Sequence, residues 1–147
     1  MQCITLVALE WGTDNDSMSD AAAAASTAIL VVEDELLVRM FAVDALEDAG
    51  FRVLQAETAA QALQALHGAP EVRAAIIDMG LPDRAGDLLA AEIQALRADL
   101  PIVIASGRSG RELRERFAGN QRITILLKPY TASLLLDALA AAGLTPA

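Results

Sequence analysis

The chain has 147 residues, a length that suits one domain with a sizeable core and not a catalytic domain joined to a second one. Twenty acidic residues against eleven basic ones give a net charge of −9, so the chain lacks the basic surface that DNA binding requires. One cysteine and one histidine exclude a disulfide framework and a Cys/His zinc cluster, and the lone thiol favours a cytoplasmic location. Lys128 is the only lysine among eleven basic residues.

The first 27 residues differ in composition from the remainder of the chain. They include a polar, turn-forming stretch at 14–17 and an alanine run at 21–25. We predict a disordered leader over 1–27, with Met18 as an alternative start, and one domain over 28–147. No stretch of the sequence approaches the roughly 18–20 consecutive apolar residues of a membrane span, so we expect no membrane partner.

From residue 28 onward, short apolar runs alternate with helical patterns. The runs predict five strands, at residues 28–32, 51–56, 72–77, 101–105 and 122–127. The intervening patterns predict five helices, at 36–49, 58–67, 86–98, 109–118 and 131–142. Expected N-caps are Thr58, Ser109 and Thr131, and expected left-handed glycine caps are Gly50, Gly68, Gly119 and Gly143. Five βα units indicate an α/β fold with helices on both faces of a parallel sheet.

The polarity of the strands predicts their order in the sheet. The first, third and fourth are almost wholly apolar, as strands buried on both faces must be, whereas the second and fifth are mixed and suit the edges. A five-stranded, doubly wound sheet of the flavodoxin-like (βα)5 type most often has the order 2-1-3-4-5. Its functional crevice lies at the carboxyl ends of the strands, where the order reverses between the first and third.

Polar side chains stand at the carboxyl ends of the strands that border this crevice. Glu33 and Asp34 follow the first strand, Asp78 ends the third, Ser106 the fourth and Lys128 the fifth. Carboxylates from two adjacent strands make an oxygen-rich pocket that suits Mg²⁺, and clustered carboxylates are costly without a cation. A lysine and a hydroxyl beside them complete a site for an anion. The pattern therefore predicts a site for magnesium and an anion.

Four segments carry these residues: ILVVEDE at 29–35, IIDMGLP at 76–82, IASG at 104–107 and LKPY at 127–130. In this order and at strand ends they resemble the signature segments of the response-regulator receiver domain of two-component signalling, over about residues 28–142. The resemblance implies that Asp78 accepts a phosphoryl group from a phosphohistidine of a sensor histidine kinase or histidine phosphotransferase. It implies no enzyme activity beyond the domain's own phosphorylation and dephosphorylation.

The resemblance also implies a role for each remaining site residue. Asp34 binds Mg²⁺ directly and Glu33 through water, with Asp78 and the backbone carbonyl of Gly80 as further ligands. Lys128 neutralises phosphoryl oxygens and Ser106 donates a hydrogen bond to one of them. The Lys128–Pro129 peptide is usually cis in the family, and residues Gly80 and Arg108 flank the expected path of the hydrolytic water.

One position departs from the family pattern. Ile125 stands where many receivers carry a Phe or Tyr that couples phosphorylation to the output face, and Tyr130 does not replace it. Together with the turn at 105–107 and the Lys-Pro-Tyr ending at 128–130, Ile125 resembles a subgroup of short, single-domain receivers. We therefore expect a stand-alone receiver that signals to a downstream protein target by protein contact. The alternative is a phosphorylation-independent pseudo-receiver, an interaction module that keeps the fold without its chemistry.

Overall fold

The computed structural model describes residues 27–107 and 110–144. In this part of the chain five strands form one parallel sheet in the order β2-β1-β3-β4-β5, as predicted. The first 26 residues of the expected leader lie outside the described residues, and so do Arg108 and Ser109. The strands are β1 (Ala28–Val32), β2 (Arg52–Ala56), β3 (Val72–Asp78), β4 (Ile102–Ser106) and β5 (Ile123–Leu127).

A helix follows each strand, as predicted, but several helices are shorter than expected. The predicted third helix extended to residue 98, whereas its last residue is Leu96, because Arg97 leaves the helical conformation and its guanidinium donates to the Val72 carbonyl at 2.6 Å. No described helix is long and apolar enough to cross a membrane. The helices are α1 (Leu36–Asp48), α2 (Ala59–His67), α3 (Gly86–Leu96), α4 (Gly110–Arg116) and α5 (Ala132–Ala141).

The predicted caps are partly confirmed. The Thr58 hydroxyl accepts the Gln61 N–H and the Thr131 hydroxyl accepts the Leu134 N–H, so both threonines are N-caps. Among the glycines of the described chain, Gly50 and Gly143 have positive φ and Gly68 and Gly119 do not. The prediction of left-handed caps was therefore wrong at two sites. At Gly68, φ is −100°; its N–H donates to the Ala65 carbonyl and the Ala69 N–H donates to the Leu66 carbonyl, a turn that needs no left-handed residue.

Alternating side chains of the sheet enter two separate cores. On β1, Leu30 and Val32 face one core with α2, α3 and Leu113 of α4, whereas Ile29 and Val31 face the other core with α1 and α5. Both faces are covered by helices, and β1, β3 and β4 are almost completely buried. The edge strands β2 and β5 are partly exposed, as predicted. In β1, β3 and β4, which are buried on both faces, the polar side chains stand at or next to the strand ends, at Arg73, Asp78 and Ser106.

The loop between β3 and α3 is held at one end by a close backbone approach. A Cβ atom added to Gly86 would lie 2.4 Å from the Asp78 carbonyl oxygen and 2.8 Å from the Met79 Cα atom. The Gly86 N–H also donates to the Met79 carbonyl at 2.9 Å. Only a residue without a side chain allows α3 to begin directly against the end of β3.

The middle of the same loop is fastened to α2. The two carboxylate oxygens of Asp83 accept the N–H groups of Ala59 and Ala60 at 2.8 and 3.0 Å. These donors belong to the first turn of α2, where backbone N–H groups have no partner within the helix. They hold the pKa of Asp83 below its ordinary value of 3.8. Asp83 therefore supplements the Thr58 cap from a distant loop.

We expect Gly86→Ala to lower the free energy of unfolding by about 1–3 kcal/mol, because the new methyl group overlaps backbone atoms that cannot move independently. Urea denaturation measures the loss. Gly68→Ala is the matched control, since a Cβ at Gly68 meets nothing within 4 Å. The control should leave stability unchanged or raise it slightly, and equal effects of the two substitutions would contradict the close approach.

We expect the stabilisation from Asp83 to depend on pH. Because its folded-state pKa is lowered, this stabilisation is fully present above pH 3.8 and is lost as the pH falls through the folded-state value. Asp83→Asn should therefore be less stable than the wild type at neutral pH, with a difference that shrinks below about pH 4. Urea denaturation at both pH values measures it. Asp99→Asn, at a 95% exposed side chain that pairs with Arg122 at 3.5 Å, is the control and should show little change. A stability difference between Asp83→Asn and the wild type that does not change with pH would contradict this role of the Asp83 carboxylate.

Candidate functional site

The carboxyl edge of the sheet forms a cleft of about 400 Å³, referred to below as the acidic cleft. Asp78 is the last residue of β3 and Ser106 the last of β4, and Lys128 follows β5 directly. Parallel pairing in register aligns these ends, with Asp78 beside Ala105 and Ser106 beside Leu127. The lining residues are Asp34, Glu35, Asp78, Met79, Gly80, Ser106, Gly107 and Lys128.

Glu33 and Asp34 occupy different environments although they are neighbours in sequence. Glu33 is 4% exposed and does not line the cleft, whereas Asp34 is exposed within it. The Glu33 backbone N–H continues the pairing of β1 with β2 by donating to the Ala56 carbonyl at 3.0 Å. The structure thus brings together every predicted site residue, with Glu33 buried behind the others.

Lys128 joins the two buried carboxylates. Its Nζ atom lies 2.7 Å from Asp78 Oδ1 and 3.1 Å from Glu33 Oε1. The side chains of Asp78 and Glu33 are only 9% and 5% exposed. Bonds of a charged group to two buried carboxylates are stronger than neutral hydrogen bonds, because little water screens them. Lys128 therefore holds the Asp78 carboxylate in position and links it to Glu33.

The pKa values of Lys128 and Glu33 are both raised, for different reasons. Burial by itself would lower the pKa of Lys128, but hydrogen bonds to Asp78 and Glu33, together with their charges, raise it above 10.5. Burial raises the pKa of Glu33 above 4.5, and the Asp78 charge adds to this, while the Glu35 N–H and Lys128 oppose it. The ammonium group of Lys128 thus stays charged at neutral pH.

Glu33, Asp34 and Asp78 are referred to below as the acidic trio, and their geometry fits a divalent cation. One carboxylate oxygen from each lies within 4.8 Å of the other two. Oxygens on opposite sides of an octahedral Mg²⁺ are about 4.2 Å apart, so the separation of these oxygens is close to that of ligands around one ion. The exposed Asp34 can approach such an ion directly, whereas the buried Glu33 is already engaged by Lys128.

The absence of a side chain at Gly80 leaves space next to the Asp78 carboxylate. A Cβ at this position would lie 3.7 Å from Asp78 Oδ2. This is ordinary van der Waals contact, so a larger residue would border that oxygen directly. The other oxygen, Oδ1, already accepts a hydrogen bond from Lys128. A group that enters the cleft therefore meets one carboxylate oxygen held by an ammonium and one that is open toward Gly80.

An apolar groove adjoins the acidic cleft, a feature that the sequence patterns did not reveal. Its volume is about 470 Å³, and it shares Glu35 and Lys128 with the cleft. The rings of Phe41 and Tyr130 lie 6.0 Å apart, and burial raises the pKa of the Tyr130 phenol above 10.0, so it stays protonated. The groove is lined by Leu37, Val38, Phe41, Pro129 and Tyr130, besides the two shared residues.

Two further expectations from the resemblance concern the neighbourhood of Lys128. The Lys128–Pro129 peptide is cis, as expected. Ile125 pairs with Ile104 on β4 and packs, partly buried, against the core that also contains α2 and α3. An aliphatic side chain thus occupies the position at which many receivers carry an aromatic ring. The predicted role of Arg108 falls outside the described residues.

Comparisons with known proteins agree with this fold. The model of the response regulator receiver domain family matches residues 29–140. The transcriptional regulatory protein PdtaR of Mycobacterium tuberculosis is 32% identical over 121 residues, which is 82% of this chain and 58% of PdtaR. The sensor kinase CckA of Brucella abortus is 28% identical over 111 residues, which is 75% of this chain and 12% of CckA. The chain thus spans about three fifths of PdtaR and a small part of CckA.

Solved structures show the same architecture. A receiver domain protein from Clostridium thermocellum superposes with a TM-score of 0.72, covering 80% of this chain and 94% of that one; at 24% identity, this likeness concerns the fold alone. A sensor protein from Polaromonas is 31% identical with a TM-score of 0.67, covering 78% and 94% of the two chains. Because the family model covers most of the sequence, and the strand order matches, the chain belongs to the response regulator receiver domain family of two-component signalling.

Proposed function

We propose that this receiver accepts a phosphoryl group on Asp78 from a phosphohistidine of a partner protein, in a reaction that depends on Mg²⁺. The observation that carries the proposal is the 2.7 Å contact between Lys128 Nζ and Asp78 Oδ1 inside an acidic trio. In this site a lysine binds one carboxylate, and two further carboxylates lie next to it. This arrangement suits the transfer of a negatively charged group, which positive groups in the site stabilise. If the Lys128–Asp78 ion pair had only a structural role, it would not need the additional carboxylate of the exposed Asp34 beside it.

The transfer forms one bond and breaks another. A carboxylate oxygen of Asp78 attacks phosphorus while the nitrogen–phosphorus bond of phosphohistidine breaks, and the electron pair of that bond stays on the imidazole nitrogen. The product is an aspartyl phosphate. Transition states of phosphoryl transfer are loose, so catalysis consists mainly of positioning and charge stabilisation. Lys128 supplies a positive charge beside the accepting oxygens, and Ser106 at the end of β4 supplies a hydroxyl group.

Asp34, Asp78 and the Gly80 carbonyl would hold Mg²⁺, with Glu33 contributing through water. When bound, Mg²⁺ neutralises charge on the phosphoryl oxygens. The residues themselves set the geometry: Lys128 fixes Asp78 from one side, and the open space at Gly80 admits the phosphoryl group and water from another. In the proposed reaction the domain catalyses only its own phosphorylation and dephosphorylation.

The apolar groove supports a protein as the phosphoryl donor, namely a sensor histidine kinase or a histidine phosphotransferase. Leu37 and Phe41 of α1 are 80% and 44% exposed, although both are large and apolar. Exposed apolar patches of this kind mark protein interaction sites. Because the groove shares Glu35 and Lys128 with the acidic cleft, a protein that delivers a phosphoryl group to Asp78 would cover it.

We further propose that the receiver acts in the cytoplasm and passes its signal to a downstream protein target by direct contact. The acidic net charge of −9 supports a protein target and not DNA. The alternative function, an interaction module that is never phosphorylated, is supported by Ile125 in place of an aromatic residue. The joint presence of the acidic trio and Lys128 favours phosphorylation, because an inert module has no need to keep these charges together.

Incubation with acetyl phosphate and Mg²⁺ should label the wild type with one phosphoryl group, and Asp78→Asn should remain unlabelled, because an amide is not a nucleophile toward phosphorus. Intact-protein mass spectrometry measures the mass gain. Removal of Mg²⁺ by a chelator should also abolish labelling of the wild type.

Asp44→Asn is the matched control for this experiment, since Asp44 is an exposed aspartate on α1 that lies outside the cleft. It should be labelled like the wild type. Equal labelling of wild type and Asp78→Asn would show that Asp78 is not the acceptor. If the wild type is labelled neither by acetyl phosphate nor by an autophosphorylated kinase, the interaction module is the better description.

Leu37→Asp should slow transfer from an autophosphorylated cognate kinase by tenfold or more, because a charge replaces apolar surface at the docking site. The rate with acetyl phosphate should stay unchanged, since a small donor needs no groove. Leu96→Asp is the matched control, because Leu96 is a 52% exposed leucine at the end of α3 that does not line the groove. An equal loss of rate with both donors would mean that Leu37 supports the site itself and not the partner.

A further inference from the structure

Arg39 is the one buried basic residue in the described part of the chain. It is 8% exposed, and it lies in the first turns of α1, two turns before the buried Leu46. Burial of a guanidinium group is costly unless its donors are satisfied. Its Nε atom donates to Gln55 Oε1 at 3.0 Å, and its Nη1 atom donates to the Glu33 carbonyl at 2.8 Å. Both acceptors are neutral, so this is not an ordinary ion pair.

The contacts of Glu33 explain why a buried arginine stands there. Its side chain accepts hydrogen bonds from the Glu35 N–H and from Lys128, both at 3.1 Å. The backbone N–H of Glu33 donates to the Ala56 carbonyl, so the backbone carbonyl of Glu33 is its remaining polar group. Arg39 donates a hydrogen bond to this carbonyl. Every polar group of Glu33 is thus held, and the orientation of the peptide that leads to Asp34 depends on the Arg39 bond.

The guanidinium group is suited to this task by its shape. Its donors lie in a rigid plane, so one side chain reaches the β1–α1 turn and the end of β2 at the same time. Gln55 is the penultimate residue of β2, and β2 pairs with β1 in register. Arg39 is itself fixed at the start of α1, where its N–H donates to the Glu35 carbonyl at 2.9 Å. The turn over residues 33–35 is therefore tied to a helix and to a strand.

We propose that Arg39 is a positioning residue of the acidic trio: by binding the Glu33 carbonyl to Gln55, it sets the direction in which Glu33 and Asp34 leave β1. The proposal rests on the proposed Mg²⁺-dependent function. Residues that orient the ligands of a metal typically change its affinity by 10–100-fold when they are replaced. Arg39 does not touch the metal or the phosphoryl group and acts only through the turn.

The test compares Arg39→Lys with the wild type by titration of Mg²⁺ in a calorimeter. Lysine keeps the positive charge but cannot make both hydrogen bonds in the same plane. Affinity for Mg²⁺ should fall by about tenfold. A neutral substitution would remove a positive charge near the site and by itself favour cation binding. Lysine keeps that charge, so a change in Mg²⁺ affinity in Arg39→Lys reports on geometry and not on electrostatics. Leu46→Val, on the same helix in the core, is the control: it should lower stability and leave Mg²⁺ affinity unchanged.

A second measurement needs no metal. Hydrogen exchange of the Glu35 amide, which donates to Glu33 Oε2, is measured by NMR in metal-free protein. Exchange should be faster in Arg39→Lys than in the wild type and in Leu46→Val, because the turn opens locally. Both results together support the proposal. Unchanged Mg²⁺ affinity in Arg39→Lys would overturn it, and weaker affinity with unchanged exchange would also overturn it, since the effect would not pass through the turn.

These outcomes are distinct from a failure of the proposed function. If the wild type itself does not bind Mg²⁺, the proposed function is overturned, and the metal-directed role of Arg39 falls with it. If the wild type binds Mg²⁺ and only the variant behaves unexpectedly, the function stands and the role of Arg39 alone is rejected.

Discussion

The contact of the Lys128 ammonium group with Asp78 and Glu33 is the interaction on which the arrangement of the site depends. Three carboxylates lie within 4.8 Å of one another at the edge of the sheet, and two of them are almost completely buried. Like charges at this distance repel strongly in a poorly hydrated site. Lys128 offsets part of the repulsion, although 95 positions separate it from Glu33 in the chain. Only a fold that places β1, β3 and β5 with their carboxyl ends together can bring these groups into contact.

The sheet supplies this arrangement because it is parallel and buried on both faces. Alternating apolar side chains fill two cores, which fixes the register of each strand, since a shift by one residue would exchange the faces. Register in turn fixes how far each strand extends, and so where Asp78 and Ser106 stand. The loops beyond the strand ends need separate support. Gly86 holds the β3–α3 loop by close approach, Asp83 fastens it to α2, and Arg39 holds the β1–α1 turn.

Much of this could be predicted from the sequence, because the strongest signals are local. Apolar runs predicted the strands and, through their polarity, the strand order. The side chains that follow those strands predicted which residues would meet. Predictions were weaker where the outcome depends on distant groups. The end of α3 was misplaced because Arg97 turns out of the helix toward a carbonyl of β3, and Gly68 was assigned a left-handed conformation that the turn after α2 does not use.

The residues that support the loops gave no comparable signal. Asp83 resembles any polar loop residue, and Arg39 resembles a surface residue of an amphipathic helix, until the fold shows what each contacts. The fold class, the strand order and the set of charged residues at one edge of the sheet could be predicted, because they follow from periodicity and from the direction of parallel strands. The folded chain was needed to learn that Glu33 is buried while Asp34 is exposed, that Lys128 bridges Asp78 and Glu33, and that an apolar groove adjoins the cleft. These features arise from contacts between segments far apart in the chain, for which no local pattern exists.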